Sequence, residues 1–189
     1  MWVSMISLEL NAQFAQDSFD AIERDSEITR VTLKNHLENW NKAPLLNSVR
    51  KTKVNYTKGQ GLSITIDAPN SRVFLENGVK WSFKEDKALL DTFYDENIIK
   101  LQQERMVECL TQFVADFHSY FPKIANNESY VIEVEVDDEP NKSGEKVNSE
   151  KIHLRQYRMK LSIEAQDFSK LESDNKRIKE LTTVEIEQL

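Results

Sequence analysis

The sequence predicts an α+β domain: an antiparallel sheet packed against long amphipathic helices, in the order helix, strands, helix, two strands, helix. Three observations carry this reading. Apolar residues recur at three- and four-residue steps in two long segments. Strict apolar–polar alternation marks several short ones. Asn77-Gly78 supplies a hairpin turn between two of these, because both central positions of such a turn tolerate positive φ.

The first helical segment spans 8–42. Leu8, Ala12, Ala15, Phe19 and Ile22 form one stripe and Leu33, Leu37 and Trp40 a second. The polar stretch ERDSEITR lies between them, so one helix or two fit the pattern. Pro44 closes the segment. Strands follow. Val54 and Tyr56 share one face, Lys53 and Asn55 the other. Lys58 to Gly61 reads as a turn, and Leu62, Ile64 and Ile66 then alternate with Ser63, Thr65 and Asp67. APNS, 68–71, reads as a second turn. A two-residue loop at Asn77-Gly78 pairs Glu76 with Val79 and sets Phe74 opposite Trp81, an aromatic pair expected on the core face.

Ser82 with Glu85 matches a capping box that opens the second helical segment. Leu89, Phe93 and Tyr94 start it, and Asp95, Glu96 and Asn97 are a candidate interruption. Met106, Leu110, Phe113, Phe117 and Tyr120 form the clearer stripe before Pro122. Two strands follow, separated by a loop from about Asp138 to Glu150. The division expected is one domain over 1–168 and a charged C-terminal helix or flexible tail over 169–189. The element order resembles the layout of small acidic secretion chaperones. That resemblance is carried by layout and by no motif.

The 189 residues suit a single core, with 39% hydrophobic and 30% charged residues. A net charge of −7 argues against a general nucleic-acid coat and leaves room for a local basic patch. Cys109 is the only cysteine, which excludes an intramolecular disulfide and a cysteine-rich zinc site. The opening MWVSMISLEL lacks a basic n-region, and no apolar run approaches the roughly 20 residues of a membrane span. A cytoplasmic protein without membrane contact is expected.

The stretch YVIEVEVDDE, 130–139, places five acids in ten residues. Its alternation sets Tyr130, Ile132, Val134 and Val136 on one face and Val131, Glu133, Glu135 and Asp137 on the other. Gln156 to Glu164 alternates in the same way, so pairing would bring Glu133 and Glu135 beside Arg158 and Lys160. Acids spaced about 6.6 Å apart along a strand stand in a line and do not converge on one cation. The adjoining loop lacks the sixth-position glycine of an EF-hand. His36, His118 and His153 lie far apart with no ligand spacing, and Cys109 sits beside an apolar helical stripe. The four glycines form no phosphate-binding loop. No catalytic, cofactor or metal residues are therefore assigned.

The strongest local charge feature is Lys42 to Lys58. It holds Lys42, Arg50, Lys51, Lys53 and Lys58, with Tyr56 interleaved, and no acid lies between Asn39 and Ile66. Arg50, Lys51, Lys53, Tyr56 and Lys58 are the interaction candidates. The expected role is that of a non-enzymatic protein-interaction module, an adaptor or chaperone-like helper whose partner presents an acidic surface. A nucleic-acid-binding protein using the same basic segment is one alternative, and an enzyme with a dispersed site is another. The plain alternative for the lysines is protection of an edge strand. Association of copies of the chain is left open.

Overall fold

The computed structural model describes residues 3–40, 49–69, 73–76, 79–82, 96–137, 156–171 and 177–189. Helix α1, Val3–Asn39, is followed by strands β1, Lys51–Thr57, and β2, Gly61–Pro69. Strands β3, Val73–Glu76, and β4, Val79–Ser82, form a separate two-stranded sheet. Helix α2, Glu96–Phe117, ends in a 3-10 turn, His118–Tyr120. Then come β5, Ser129–Asp137, β6, Tyr157–Glu164, two short helices, α3, Ala165–Leu171, and α4, Ile178–Leu181, and β7, Thr183–Gln188.

The main sheet has five strands in the order β1-β2-β5-β6-β7. Three of its pairings are antiparallel. The fourth, β2 with β5, is parallel, so the sheet is mixed and mostly antiparallel. A parallel neighbour needs a long return connection. Here the chain leaves β2 at Pro69 and returns to β5 only after α2, and the period-two alternation of either strand is blind to that direction.

The strands divide cleanly into two faces. Ile64, Ile132 and Leu161 lie side by side on the inner face, as do Ile66, Val134 and Met159, and all six are buried. Leu33, Leu37 and Trp40 of α1 and Met106, Leu110, Phe113 and Val114 of α2 join them in one core. Burying an aliphatic or aromatic side chain of this size contributes about 1.5–3 kcal/mol. Phe113 anchors a ring cluster, with Phe117 at 5.2 Å and Phe121 at 5.8 Å between centroids. Polar ties fix how the two helices meet. The buried Thr29 hydroxyl lies 2.9 Å from the Tyr120 carbonyl and 2.8 Å from the Asp25 carbonyl of its own helix, with one proton to share between them, and Trp40 Nε1 donates to Gln112 at 3.0 Å.

Open alternatives resolve, and one expectation changes. Of the two alternatives left open for the first helical segment the single helix is found: residues 3–39 run straight through ERDSEITR, where the Ser26 hydroxyl bonds back to the Ile22 carbonyl. The expected terminal helix or tail over 169–189 gives way to short helices and an edge strand. Val184 and Ile186 alternate with Glu185 and Glu187, and this short period-two run completes the sheet. The register of the two-stranded sheet agrees with the expected one, Phe74 opposite Trp81 and Glu76 opposite Val79. The turn at Asn77-Gly78, the side-chain placement of Phe74 and Trp81, and the capping box at Glu85 lie outside the described residues. No helix among the described residues is long and apolar enough to cross a membrane.

The parallel pair begins at a tight junction. Gly61 at φ +117 lies opposite Ser129, and a Cβ on Gly61 would come within 2.0 Å of the Ser129 carbonyl oxygen. Gly59, at φ +86 in the preceding turn, faces open space. Gly61→Ala should therefore destabilise the protein by about 3 kcal/mol or more, since backbone must move as well as strain. Gly59→Ala should cost only the left-handed strain, about 1–2 kcal/mol. Urea denaturation of the two variants checks this ordering; equal losses would contradict it.

Candidate functional site

The outer face of the main sheet is polar, and its register aligns side chains in rows across all five strands. One row reads Lys51, Asp67, Glu135, Arg158, Glu187. The next reads Lys53, Thr65, Glu133, Lys160, Glu185. Residues sharing a row sit within cross-strand reach. Arg158 stands between three carboxylates, Glu133 at 3.3 Å and Glu135 and Glu187 each at 3.4 Å. The Glu133 contact is an ion pair without hydrogen-bond alignment, because Arg158 Nε has no hydrogen-bond partner. Lys160 turns to Glu185 at 3.6 Å. The acids of β5 thus form the negative centre of a charge-paired sheet face, with Arg158 occupying the space between Glu133 and Glu135.

The sequence-predicted interaction residues separate into three settings. Lys51 and Lys53 lie on the outer face of β1, an edge strand, both exposed. They form no ion pair among the described residues. Arg50 is engaged: it pairs with Asp67 at 2.8 Å and with Asp137, and so ties the start of β1 to β2 and β5. Lys58 sits exposed in the turn after β1. Tyr56 points to the opposite face, where its hydroxyl meets both oxygens of Glu128 at 3.2 Å. The structure brings Lys51 and Lys53 together and leaves Tyr56 apart from them. The acid-free stretch in the sequence is also not acid-free in space, since Asp67 lies directly opposite Lys51. Lys42 lies outside the described residues.

On the inner side of the β1 edge runs a groove between α1 and the strand, lined by Phe19, Ile22, Glu23, Ser26, Val54 and Tyr56. Phe19 belongs to the stripe that the helical period assigns to the core. It is instead 51% exposed, with its ring 6.4 Å from that of Tyr56. The helical period places Phe19 on the strand side of α1; it does not show that the helix overhangs the edge of the sheet there. Glu185 and Glu187 of β7, at the far edge, were also missed. Their signal was present in the alternation TVEIEQ, 183–188, a stretch too short to outweigh a helical reading.

The nucleophile and metal candidates sit in structural positions. Cys109 is buried where α2 meets α1, and burial pushes its thiol well above the ordinary range, away from the reactive thiolate. His36 donates from Nε2 to the Cys109 carbonyl at 3.3 Å and packs against Phe113 and Phe117. His118 donates from Nδ1 to the Ala115 carbonyl at 2.9 Å. His153 lies outside the described residues. Among the described residues no three His, Cys, Asp or Glu side chains gather as one cation would require.

Comparison of the chain with protein families, with curated proteins and with solved structures finds no match.

The setting of His36 gives a pH signature. Burial lowers its pKa from the ordinary 6.5, against smaller opposing effects of the Cys109 carbonyl and Asp116. A depressed folded value means that the unfolded chain binds the extra proton first. Its contribution to stability is therefore present above the unfolded value and is lost as pH falls through the folded one. Unfolding free energy should fall as the pH drops below the ordinary histidine value of 6.5, and should fall less in His36→Gln. Identical pH slopes for the two proteins, measured by denaturant titration, would contradict this assignment.

Proposed function

We propose that this protein is a non-enzymatic interaction module that takes up an extended, acidic segment of another protein along the β1 edge. The observation that carries this reading is the pairing of features on the two sides of that one strand. Outside, Lys51 and Lys53 are exposed and unengaged among the described residues. Inside, the groove offers Phe19, Ile22, Val54 and Tyr56.

A strand added to a sheet edge gains main-chain hydrogen bonds, and its alternate side chains point to opposite faces. A segment alternating apolar and acidic residues fits this edge. Its apolar positions would enter the groove, and its acids would meet Lys51 and Lys53. Glu23 on the groove wall disfavours the reverse orientation, which would place acids against α1. An adaptor or chaperone-like role is the concrete form of this function.

Nucleic acid is a poorer fit to the same surface. Beside the two lysines the sheet face carries Asp67, Glu133 and Glu135, which would repel a phosphate backbone laid across it.

The test uses a synthetic peptide of alternating valine and glutamate, nine residues long, titrated against the whole chain by calorimetry. Binding should be saturable, should weaken with added salt, and should fall by about tenfold or more in the double variant Lys51→Glu, Lys53→Glu. Far-ultraviolet circular dichroism should stay unchanged in that variant, since both side chains are exposed. No binding, or equal binding by the variant, would sink the reading and leave the lysines as edge protection. Salt-dependent binding of random-sequence RNA or DNA in place of the peptide would favour the nucleic-acid alternative.

A further inference from the structure

The two edges of the main sheet are chemically opposite. At one edge β1 presents Lys51 and Lys53 on the outer face; at the other β7 presents Glu185 and Glu187 on that same face. The lysines begin the two charged rows and the glutamates end them. Strand direction also agrees. β1 runs antiparallel to β2, β2 and β5 run together, and β6 and β7 each reverse, so β7 is antiparallel to β1. A second copy placed beside the first, in the same orientation, would therefore bring its β7 against β1 as an ordinary antiparallel neighbour. In the register that continues the rows, Glu187 meets Lys51 and Glu185 meets Lys53. Val184 and Ile186 then fall beside Val54 and Thr52, on the side of the groove.

We infer that the acidic strand taken up at the β1 edge is β7 of a second copy of this chain, joining copies head to tail through one continuous sheet. This rests on the reading of β1 as a strand-accepting edge, and it names the occupant. β7 has the alternation that edge selects: acids at 185 and 187, apolar residues at 184 and 186. Ile186, at 46% exposure, is a large apolar side chain left uncovered on the inner side of the β7 edge. Glu185 and Glu187 lean on Lys160 and Arg158 within their own chain but stay mostly solvent-exposed, at 66% and 69%, so each keeps a flank free for a second cation.

Charge also excludes the symmetric alternatives. Pairing β1 with β1 would set lysines against lysines, and pairing β7 with β7 would set glutamates against glutamates, both unfavourable. Only unlike edges attract. Such a contact is heterologous and leaves one edge of each kind unused, so it propagates. Five strands at about 4.8 Å set successive copies about 24 Å apart. The right-handed twist of the strands turns that chain into an open helix and not a flat ribbon. Because the acids of β7 are already shared with Arg158 and Lys160, the association should be reversible and dependent on concentration and salt.

The test is sedimentation velocity on the whole chain over a concentration series in low and high salt. The wild type should self-associate, less so in high salt. Lys51→Glu with Lys53→Glu, and separately Glu185→Lys with Glu187→Lys, should each weaken association by about tenfold or more, because like charges then face each other. An equimolar mixture of the two variants should associate again, since each basic edge then finds an acidic one. If the Glu185→Lys, Glu187→Lys variant fails to fold for lack of its partners on β6, Glu185→Gln with Glu187→Gln replaces it. That variant should also associate less, and adding it to the Lys51→Glu, Lys53→Glu variant should restore association in part through its intact Lys51 and Lys53. A wild type that stays monomeric at its highest soluble concentration would overturn the inference. So would a mixture no more associated than its components. Should the valine–glutamate peptide still bind a monomeric wild type at β1, the inference falls and the function of the edge stands. Should neither peptide nor second copy bind, both fall.

Discussion

One carboxylate, Glu128, holds together four parts of the chain that are distant in sequence. It is 2% exposed and sits where β5 is about to begin. Its Oε1 accepts from the Gly59 amide at 2.6 Å and its Oε2 from the Ala125 amide at 3.0 Å, while the Tyr56 hydroxyl meets both oxygens. Its main-chain carbonyl accepts from the Ala165 amide at 2.9 Å. The end of β1, the turn after it, the loop before β5 and the start of α3 thus meet at one residue. A buried carboxylate is costly unless its lone pairs are filled by donors, and here two amides and a hydroxyl fill them. Beside it, the Ser129 amide donates to the Gln60 carbonyl at 3.1 Å, which Gly61 permits by having no Cβ. The parallel pairing of β2 with β5 starts from this point, and the register of the whole sheet follows from it.

That register separates the two faces. A one-residue slip of β5 would send Ile132, Val134 and Val136 outward and Glu133 and Glu135 into the core, so the junction and the core specify the same alignment. With the alignment set, charges on the outer face fall into rows, and the rows end in lysine at β1 and glutamate at β7. The edges inherit their opposite character from a sheet whose centre is mixed: β5 is acidic and β6 basic, and each outer strand carries the sign left unbalanced beside it. The same alignment places Val54 and Tyr56 under α1, where Phe19 overhangs the strand edge and makes a groove.

Local pattern made much of this legible in the sequence. The alternation in 62–67, 130–137 and 156–164 gave the faces of three strands, and opposite charges at matched spacing gave the pairing of β5 with β6. The two-residue loop expected at Asn77-Gly78 gave the register found between β3 and β4. Leu33, Leu37, Met106, Leu110 and Phe113 stood out as core because a helical stripe has to face something apolar. Long-range relations were not legible. A parallel neighbour looks like any other strand, and Glu128 looks like any other of the 32 acids in the chain. The polar stretch 23–30 left one helix or two open, because the period does not show that the Ser26 hydroxyl is satisfied by its own helix at the Ile22 carbonyl. At the candidate edge, Lys51 and Lys53 were found from a stretch without acids and from the alternation that puts both on one strand face. The acids that face Arg50, the groove behind Val54, and the opposite charge of β7 all depend on strand order, which no local period encodes.

The central claim is that Glu128 couples these four segments and does not merely cap one of them. Amide hydrogen exchange on the folded Glu128→Ala variant tests it most directly. The Gly59 and Ala125 amides lose their acceptor and should exchange faster on any account. If the junction is one unit, the Ser129 and Ala165 amides, which bond to backbone carbonyls and not to the carboxylate, should lose protection together with them. Faster exchange confined to Gly59 and Ala125, with Ser129 and Ala165 as protected as in the wild type, would contradict it.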